Sequence, residues 1–547
     1  MKKTLAVVMA AAMMLGLVAC GGGSQQSTTA AAAPAQTTAA AAETKAAETQ
    51  AAPAATEAAA PEASGEADII RCIQNYDPGT FEPGNNDEQG YNRIMTNIYD
   101  SLFRYDENGE LEGRLCEEYE WDDNTHLRLH IREGVKFSDG SDLTAEDVVW
   151  TIQRSIEDAL PNYHFNIIDG PNCTVEDDHT CVLALKYPCA SMPSHLASPE
   201  CAIASKKAFE DSNGDYLGGA ILGSGPYKLV EYVQGDRVLL TANEYYWEPG
   251  IPKVKDLEIR IIESPESAAV EAKTLQYDVV QGANAREFDV IEQIDGVHIE
   301  YGQTAKTVYL LLNMKKAPMD NPLVREAFAR AINVVPTAKL AYGATAHPAE
   351  AFIVPGIAGC NPETYRKYYG EGADIETAKQ LLAEAGYPNG VDLEITVPAN
   401  DTTYCDMGEA IQAQVAECGI NLSVNKMENA TMREYIDGGN HHMCVYGFTA
   451  QTMEADGFIS QIQPGSGALA RVGYERQEFF DRYQEGCAEL DAEKRAAIWE
   501  ECLEMLMEDY AMVPLNHLMN GAAVKDNVQG FWWAKDYEEI YPAYWSK

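Results

Sequence analysis

The chain predicts an α/β body, and two observations carry that prediction. Within 391–426, Leu393, Ile395 and Val397 alternate as a strand, Ile411, Val415 and Cys418 mark a helix face ended by Gly419, and Ile420, Leu422 and Val424 alternate again. Strand, helix and strand in that order imply a right-handed crossover and a parallel pair. The second observation is size: 67–547 exceeds what one hydrophobic core usually supports, so two or three lobes are expected.

Elements follow in chain order. Lys2 and Lys3 precede an apolar run from Leu5 to Leu15, too short to span as a mature transmembrane helix, and Leu17-Val18-Ala19-Cys20 follows. This resembles a bacterial lipobox, which implies a signal over 1–19, cleavage before Cys20 and lipid on its thiol. The alternative is an ordinary signal peptide with an incidental cysteine. Over 20–66 Cys20 is followed by Ala, Thr, Pro, Gly, Ser, Gln and Glu almost exclusively, without aromatic or large aliphatic side chains. Such a stretch cannot bury enough apolar surface to offset its ordering entropy, and reads as a solvated tether.

Beyond the tether, Leu127, Leu129 and Ile131 alternate with Arg128 and His130 as a half-buried strand. Phe137-Ser138-Asp139-Gly140 is a turn. Thr144 then starts a helix, with Asp147 three residues on and Val148, Val149, Ile152 and Ile156 at helical spacing. Asp320-Asn321-Pro322 begins another helix, with Val324, Ala327, Phe328 and Ala331 on one face. A further helix at 375–385 is closed by Gly386, with Pro388 beyond.

The net charge is −45, from 40 basic and 85 acidic residues, and 1–66 contributes only −2 of it (three Lys, five Glu). A body this acidic argues against nucleic acid and anionic lipid as partners. Besides Cys20 there are twelve cysteines, without a C-x-x-C pair or a zinc spacing. Two readings stay open. An exported chain can pair them, Cys173 with Cys181 if 174–182 is a hairpin, or an organism living without oxygen can keep them as small buried hydrophobes.

Three segments resemble one family. Arg132-Glu133-Gly134-Val135-Lys136-Phe137-Ser138-Asp139-Gly140 followed by Leu143-Thr144-Ala145-Glu146-Asp147-Val148-Val149 is similar to the hallmark of extracellular solute-binding proteins of the peptide/nickel class, family 5. Gly223-Ser224-Gly225-Pro226-Tyr227-Lys228-Leu229 with Gly235-Asp236-Arg237 resembles the second motif, and Asn321-Pro322-Leu323-Val324-Arg325-Glu326-Ala327-Phe328 the third. The resemblance runs in order to Val528-Gln529-Gly530-Phe531. It implies a two-lobed periplasmic-binding-protein-like clamshell of type II, large class with an extra sub-lobe. One lobe is expected at 67–305 plus 513–547, with a sub-lobe near 100–218, and the other at 306–512. Ligand would sit between the lobes of a monomer that passes it to separate permease and ATPase chains of an ABC importer, with the lipid anchor as the only membrane contact.

In peptide-binding relatives an aspartate within Gly-Trp-x-Ala-Asp-Tyr holds the ligand's amino terminus. The matching stretch here is Tyr446-Gly447-Phe448-Thr449-Ala450-Gln451-Thr452, which puts Gln451 at that position, with Glu454 and Asp456 close by as substitutes. An amide supplies no charge, and charge-assisted bonds are about twice as strong. Some dipeptide binders also carry an arginine before the helix matching 406–418. This chain has Thr402-Thr403-Tyr404-Cys405 there, and hydroxyls do not replace a guanidinium fork. Tyr76, Phe81, Tyr404, Tyr446, Phe448, Trp532 and Trp533 supply rings for a cleft, Phe81 and Phe448 falling in segments that face it in relatives. An oligopeptide or peptide-like ligand leads; a nickel or metal chelate and a sugar conjugate are the alternatives.

His441-His442-Met443-Cys444 is the soft-donor cluster, but adjacent histidines on a strand point to opposite faces, so a loop or strand edge is expected rather than a metal site. His126 and His130 fit the polar face of a strand. No cofactor motif is found. A surface hydrolase is the remote alternative, since Gly223-Ser224-Gly225 lacks the G-x-S-x-G elbow and no Walker A loop occurs, so no enzyme is expected. The serine reads as part of a tight turn.

Overall fold

The computed structural model describes residues 68–85, 89–283, 285–534 and 537–546; the signal, Cys20 and the tether lie outside them. Local rules place the helices. The Asp147 carboxylate accepts the Thr144 N–H at 3.0 Å and caps Ala145–Glu157. Asn321 Oδ1 accepts the Leu323 N–H at 3.0 Å and opens Pro322–Arg330. The helix expected from Asp406 starts earlier, at Thr402–Val415, because the Asp401 side chain accepts the Tyr404 N–H at 3.1 Å. It joins Val391–Pro398 to Ile420–Met427, which pair in parallel with Val391 opposite Ile420.

One mixed ten-stranded sheet runs through the body. From one edge its strands are Ile420–Met427, Val391–Pro398, Met443–Thr449, Val297–Leu312, Met512–Lys525, Val279–Val280, Ile69–Gln74, Asp256–Ile261, Arg237–Ala242 and Tyr227–Val233. Its middle is the long antiparallel pair Val297–Leu312 and Met512–Lys525. One end of this pair bonds Met443–Thr449 through Lys306 to Leu312, and the other bonds Val279–Val280 through Val524 and Ala523. A separate four-stranded antiparallel sheet comprises Cys116–Asp123, His126–Ile131, Thr180–Ala184 and Thr174–Asp177.

The buried apolar residues divide accordingly. One core draws on 305–515, a second on 102–203, and two smaller ones on 70–99, 202–299 and 522–543. The protein is therefore two lobes on a shared sheet, with the four-stranded sheet as a sub-lobe of its own.

The twelve body cysteines are free thiols, all buried except the half-buried Cys360. Cys173 and Cys181 do flank a hairpin, yet its register puts Cys181 opposite Val175. His441 is buried and its Nε2 donates to the Arg471 carbonyl at 3.1 Å, while His442 sits in the loop before Met443–Thr449. Neither belongs to a metal-ligating group among the described residues. His126 and His130 lie on the more exposed side of His126–Ile131.

Candidate ligand cleft

The two crossing strands lose register where they pass from lobe to lobe. Gln303 faces Met519 and Thr307 faces His517, so Thr304, Ala305 and Lys306 together stand against Leu518 alone. Thr304 Oγ1 donates to the Leu518 carbonyl at 3.0 Å and accepts the Lys306 N–H at 3.1 Å, which fixes the bulge. Bulges re-aim side chains and recur beside functional sites.

Lys306 stands opposite Thr449, with Gly447 two residues along the same face. A methyl group on Gly447 would lie 2.7 Å from Lys306 Cε, 3.6 Å from its Nζ and 3.0 Å from the Tyr404 hydroxyl. The lysine stem therefore passes over the glycine, and the Tyr404 hydroxyl borders the same glycine. Burial pushes the Tyr404 pKa up, so the hydroxyl stays a donor. Among the described residues Lys306 forms no ion pair, in a chain with 85 acids to 40 bases. Both groups border Gly447, and no acceptor is found for either among the described residues.

Beside the crossing strand Met512–Lys525 lies a cavity of about 240 Å³, lined by Asn75, Arg93, Gln281, Thr345, Met519 and Trp533. Gln281 Nε2 and Trp533 Nε1 are buried without a hydrogen-bond partner among the described residues. Native interiors leave few such donors, and a bound acceptor, solvent or ligand, is the usual answer. Trp533 lies flat on Gly302, where a Cβ would come within 2.0 Å of the ring.

The other residues singled out from sequence are placed as follows. Phe81 is wholly buried, edge-on to Tyr232 at 5.1 Å, within a lobe core. Phe448 is likewise buried, among Tyr309, Phe458 and Tyr446. Tyr446 carries the Arg471 guanidinium over its ring at 4.4 Å. Gln451 is half-buried, and its N–H donates to the Gly457 carbonyl at 3.2 Å. The two acids expected to substitute for it are engaged by the protein itself. Arg495 takes both Glu454 oxygens at 2.7 Å, joined by Trp499 Nε1 at 3.1 Å. Asp456 is buried and accepts from Thr452 Oγ1 at 2.7 Å and from Ser191 Oγ. Lys306, Gln281 and Arg93 were not singled out from sequence. The available signal was a lysine between Ala305 and Thr307 in an apolar strand.

The family model described as bacterial extracellular solute-binding proteins, family 5, matches residues 110–469. The chain is 26% identical over 465 residues to the glutathione-binding protein GsiB of Escherichia coli, covering 83% of this chain and 90% of that one. Its fold is similar to HbpA2 from Haemophilus parasuis, with a TM-score of 0.78 at 22% identity over 88% of this chain and all of the other. It is also similar to the periplasmic binding protein DppA from Helicobacter pylori in complex with the peptide STSA, with a TM-score of 0.67 at 23% identity over 88% and 98%. No helix among the described residues is long and apolar enough to cross a membrane. The match over most of the body, carried on a two-lobed sheet, places this chain in family 5 of the bacterial extracellular solute-binding proteins, the extracytoplasmic ligand-binding components of ABC importers.

Proposed function

We propose that the protein captures an oligopeptide or peptide-like solute bearing a free carboxylate, and delivers it to the permease of an ABC importer. One observation carries the choice of ligand: Lys306 and the Tyr404 hydroxyl both border Gly447 at the lobe crossing, and Lys306 has no ion-pair partner among the described residues. A ligand carboxylate supplies that acceptor, and a charge-assisted bond of this kind contributes about 1.5–3 kcal/mol, or one to two decades of affinity. The name of the similar protein GsiB supports this reading, because glutathione is a γ-glutamyl tripeptide with two carboxylates. Gln281 and Trp533 donate to the ligand from the facing lobe, and the rings of Tyr404 and Tyr446 border it. The protein works as a monomer held to the membrane by lipid on Cys20.

Calorimetry with glutathione and a series of two- to five-residue peptides, as free acids and C-terminal amides, tests the assignment. Wild type is expected to prefer free acids by at least tenfold, and Lys306→Met to bind acid and amide alike. Equal affinity of wild type for acid and amide would overturn the role of Lys306.

A further inference from the structure

The strongest polar cluster outside the cleft joins the sub-lobe to the second lobe. Cys189 and His195 lie at either end of a turn whose apolar residues belong to the sub-lobe core, whereas Asp456 sits between Ala455 and Phe458 of the 305–515 core. All three side chains are buried, and one ligand atom from each lies within 4.8 Å of the other two. His195 Nε2 is 3.7 Å from Asp456 Oδ2. Its other ring nitrogen, Nδ1, is 2.9 Å from His164 Nδ1, and His164 Nε2 faces Glu200 at 3.7 Å. The remaining Asp456 oxygen is held by Thr452. The Ala190 N–H donates to the Cys487 carbonyl at 2.8 Å, which fixes the turn against the second lobe.

We propose that Cys189, His195 and Asp456 form a site for a borderline-soft divalent cation, Zn²⁺ in type, that clips the sub-lobe to the second lobe. Thiolate, imidazole and carboxylate suit zinc and its neighbours, whereas Mg²⁺ and Ca²⁺ take oxygen donors. A tetrahedral Zn²⁺, with bonds of about 2.3 Å to sulfur and about 2.0–2.1 Å to nitrogen and oxygen, holds its donors roughly 3.3–3.6 Å apart. From separations of up to 4.8 Å, binding therefore needs a contraction of at most about 1.2–1.5 Å. The fourth corner falls to solvent or to Ser191 Oγ, which lies 3.4 Å from Cys189 Sγ. His164 and Glu200 supply the outer support that orients a ligating imidazole. A thiolate and a carboxylate neutralise the dication, so a buried site is sustainable.

Chelator-dialysed, reduced protein titrated with Co²⁺ is the test. A thiolate-to-cobalt band with tetrahedral visible absorption should saturate at one equivalent and be displaced by Zn²⁺. It should be missing from Cys189→Ser and kept by Cys360→Ser. His164→Phe should weaken binding about 10–100-fold. X-ray absorption of zinc-loaded wild type needs no variant, and should show one sulfur among otherwise nitrogen and oxygen neighbours. A sulfur-free shell, no saturation at one equivalent, or an unchanged band in Cys189→Ser overturns the site.

Discussion

Asp100 and Arg114 meet at 2.5 Å with both side chains almost wholly out of water. Burial holds the Asp100 carboxyl above its ordinary range even with Arg114 beside it. Ser224 Oγ at 3.1 Å and Trp247 Nε1 at 3.2 Å complete its shell. The glycines around that serine are dictated by the same packing: a Cβ on Gly223 would lie 2.0 Å from the Ile98 carbonyl oxygen, and one on Gly225 2.5 Å from the Ile98 carbonyl carbon. Removing one member of such a pair strands the other charge. Asp100→Ala is expected to cost about 3–5 kcal/mol, and adding Arg114→Met to recover most of it. Urea unfolding followed by circular dichroism decides; a single-mutant loss under 1 kcal/mol contradicts the account.

Gly447→Ala places a methyl group against a flexible lysine stem rather than against backbone. The fold should persist while the Lys306 stem is displaced, lowering affinity for a free carboxylate about tenfold, or about 1.4 kcal/mol. Calorimetry reads the loss. Unchanged affinity would separate Lys306 from the ligand.

The sequence resemblance puts Gln451, an amide, where peptide-binding relatives carry a charged hook for an ammonium. N-terminal acetylation of a peptide ligand should therefore matter little to wild type and more to Gln451→Asp, by up to one or two decades. A wild type that loses its ligand on acetylation would show that another acid holds the amine.

His441 gives stability a defined pH dependence. Burial lowers its pKa to about 4 from the ordinary 6.5. Below pH 6.5 the unfolded chain takes up the proton first, so this contribution is complete above 6.5 and fades as pH falls toward 4, by up to about 3 kcal/mol. The stability difference between wild type and His441→Gln should shrink across that window and stay level above pH 7.5. Parallel curves from pH 4 to 7 would rule the histidine out.

Cys20→Ser should abolish lipid attachment and leave the folded body unchanged. Metabolic labelling with a fatty acid reports it, and label persisting on the variant would exclude the anchor.

Elements governed by neighbours in sequence were legible. The Thr144 cap, the Asn321-Pro322 start and the parallel strands around 402–415 all follow from spacing within a few residues. Ser224, expected in a tight turn, lies instead in an irregular segment packed on Ile98, and its partner, Asp100, lies 124 residues away. Residues whose partners are distant were not legible. Glu454 and Asp456 read as available acids, but Arg495 and Ser191, 41 and 265 residues off, engage them. Phe81 reads as a cleft ring only until Tyr232 covers it. The hairpin register, which sets Cys181 opposite Val175, two residues from Cys173, depends on pairing that spacing alone does not fix.

The two lobes share one hydrogen-bonded ribbon, and that limits how they move. Any change in the angle between them must be absorbed by twisting or flexing the crossing strands, because breaking their ladder would strip backbone groups of partners. The ladder is already interrupted at 304–306 and again between Val308 and Tyr309, and Lys306 stands in the first interruption. Whatever binds the lysine thus presses on the joint itself, so a ligand anchored there acts with almost no lever arm between recognition and motion.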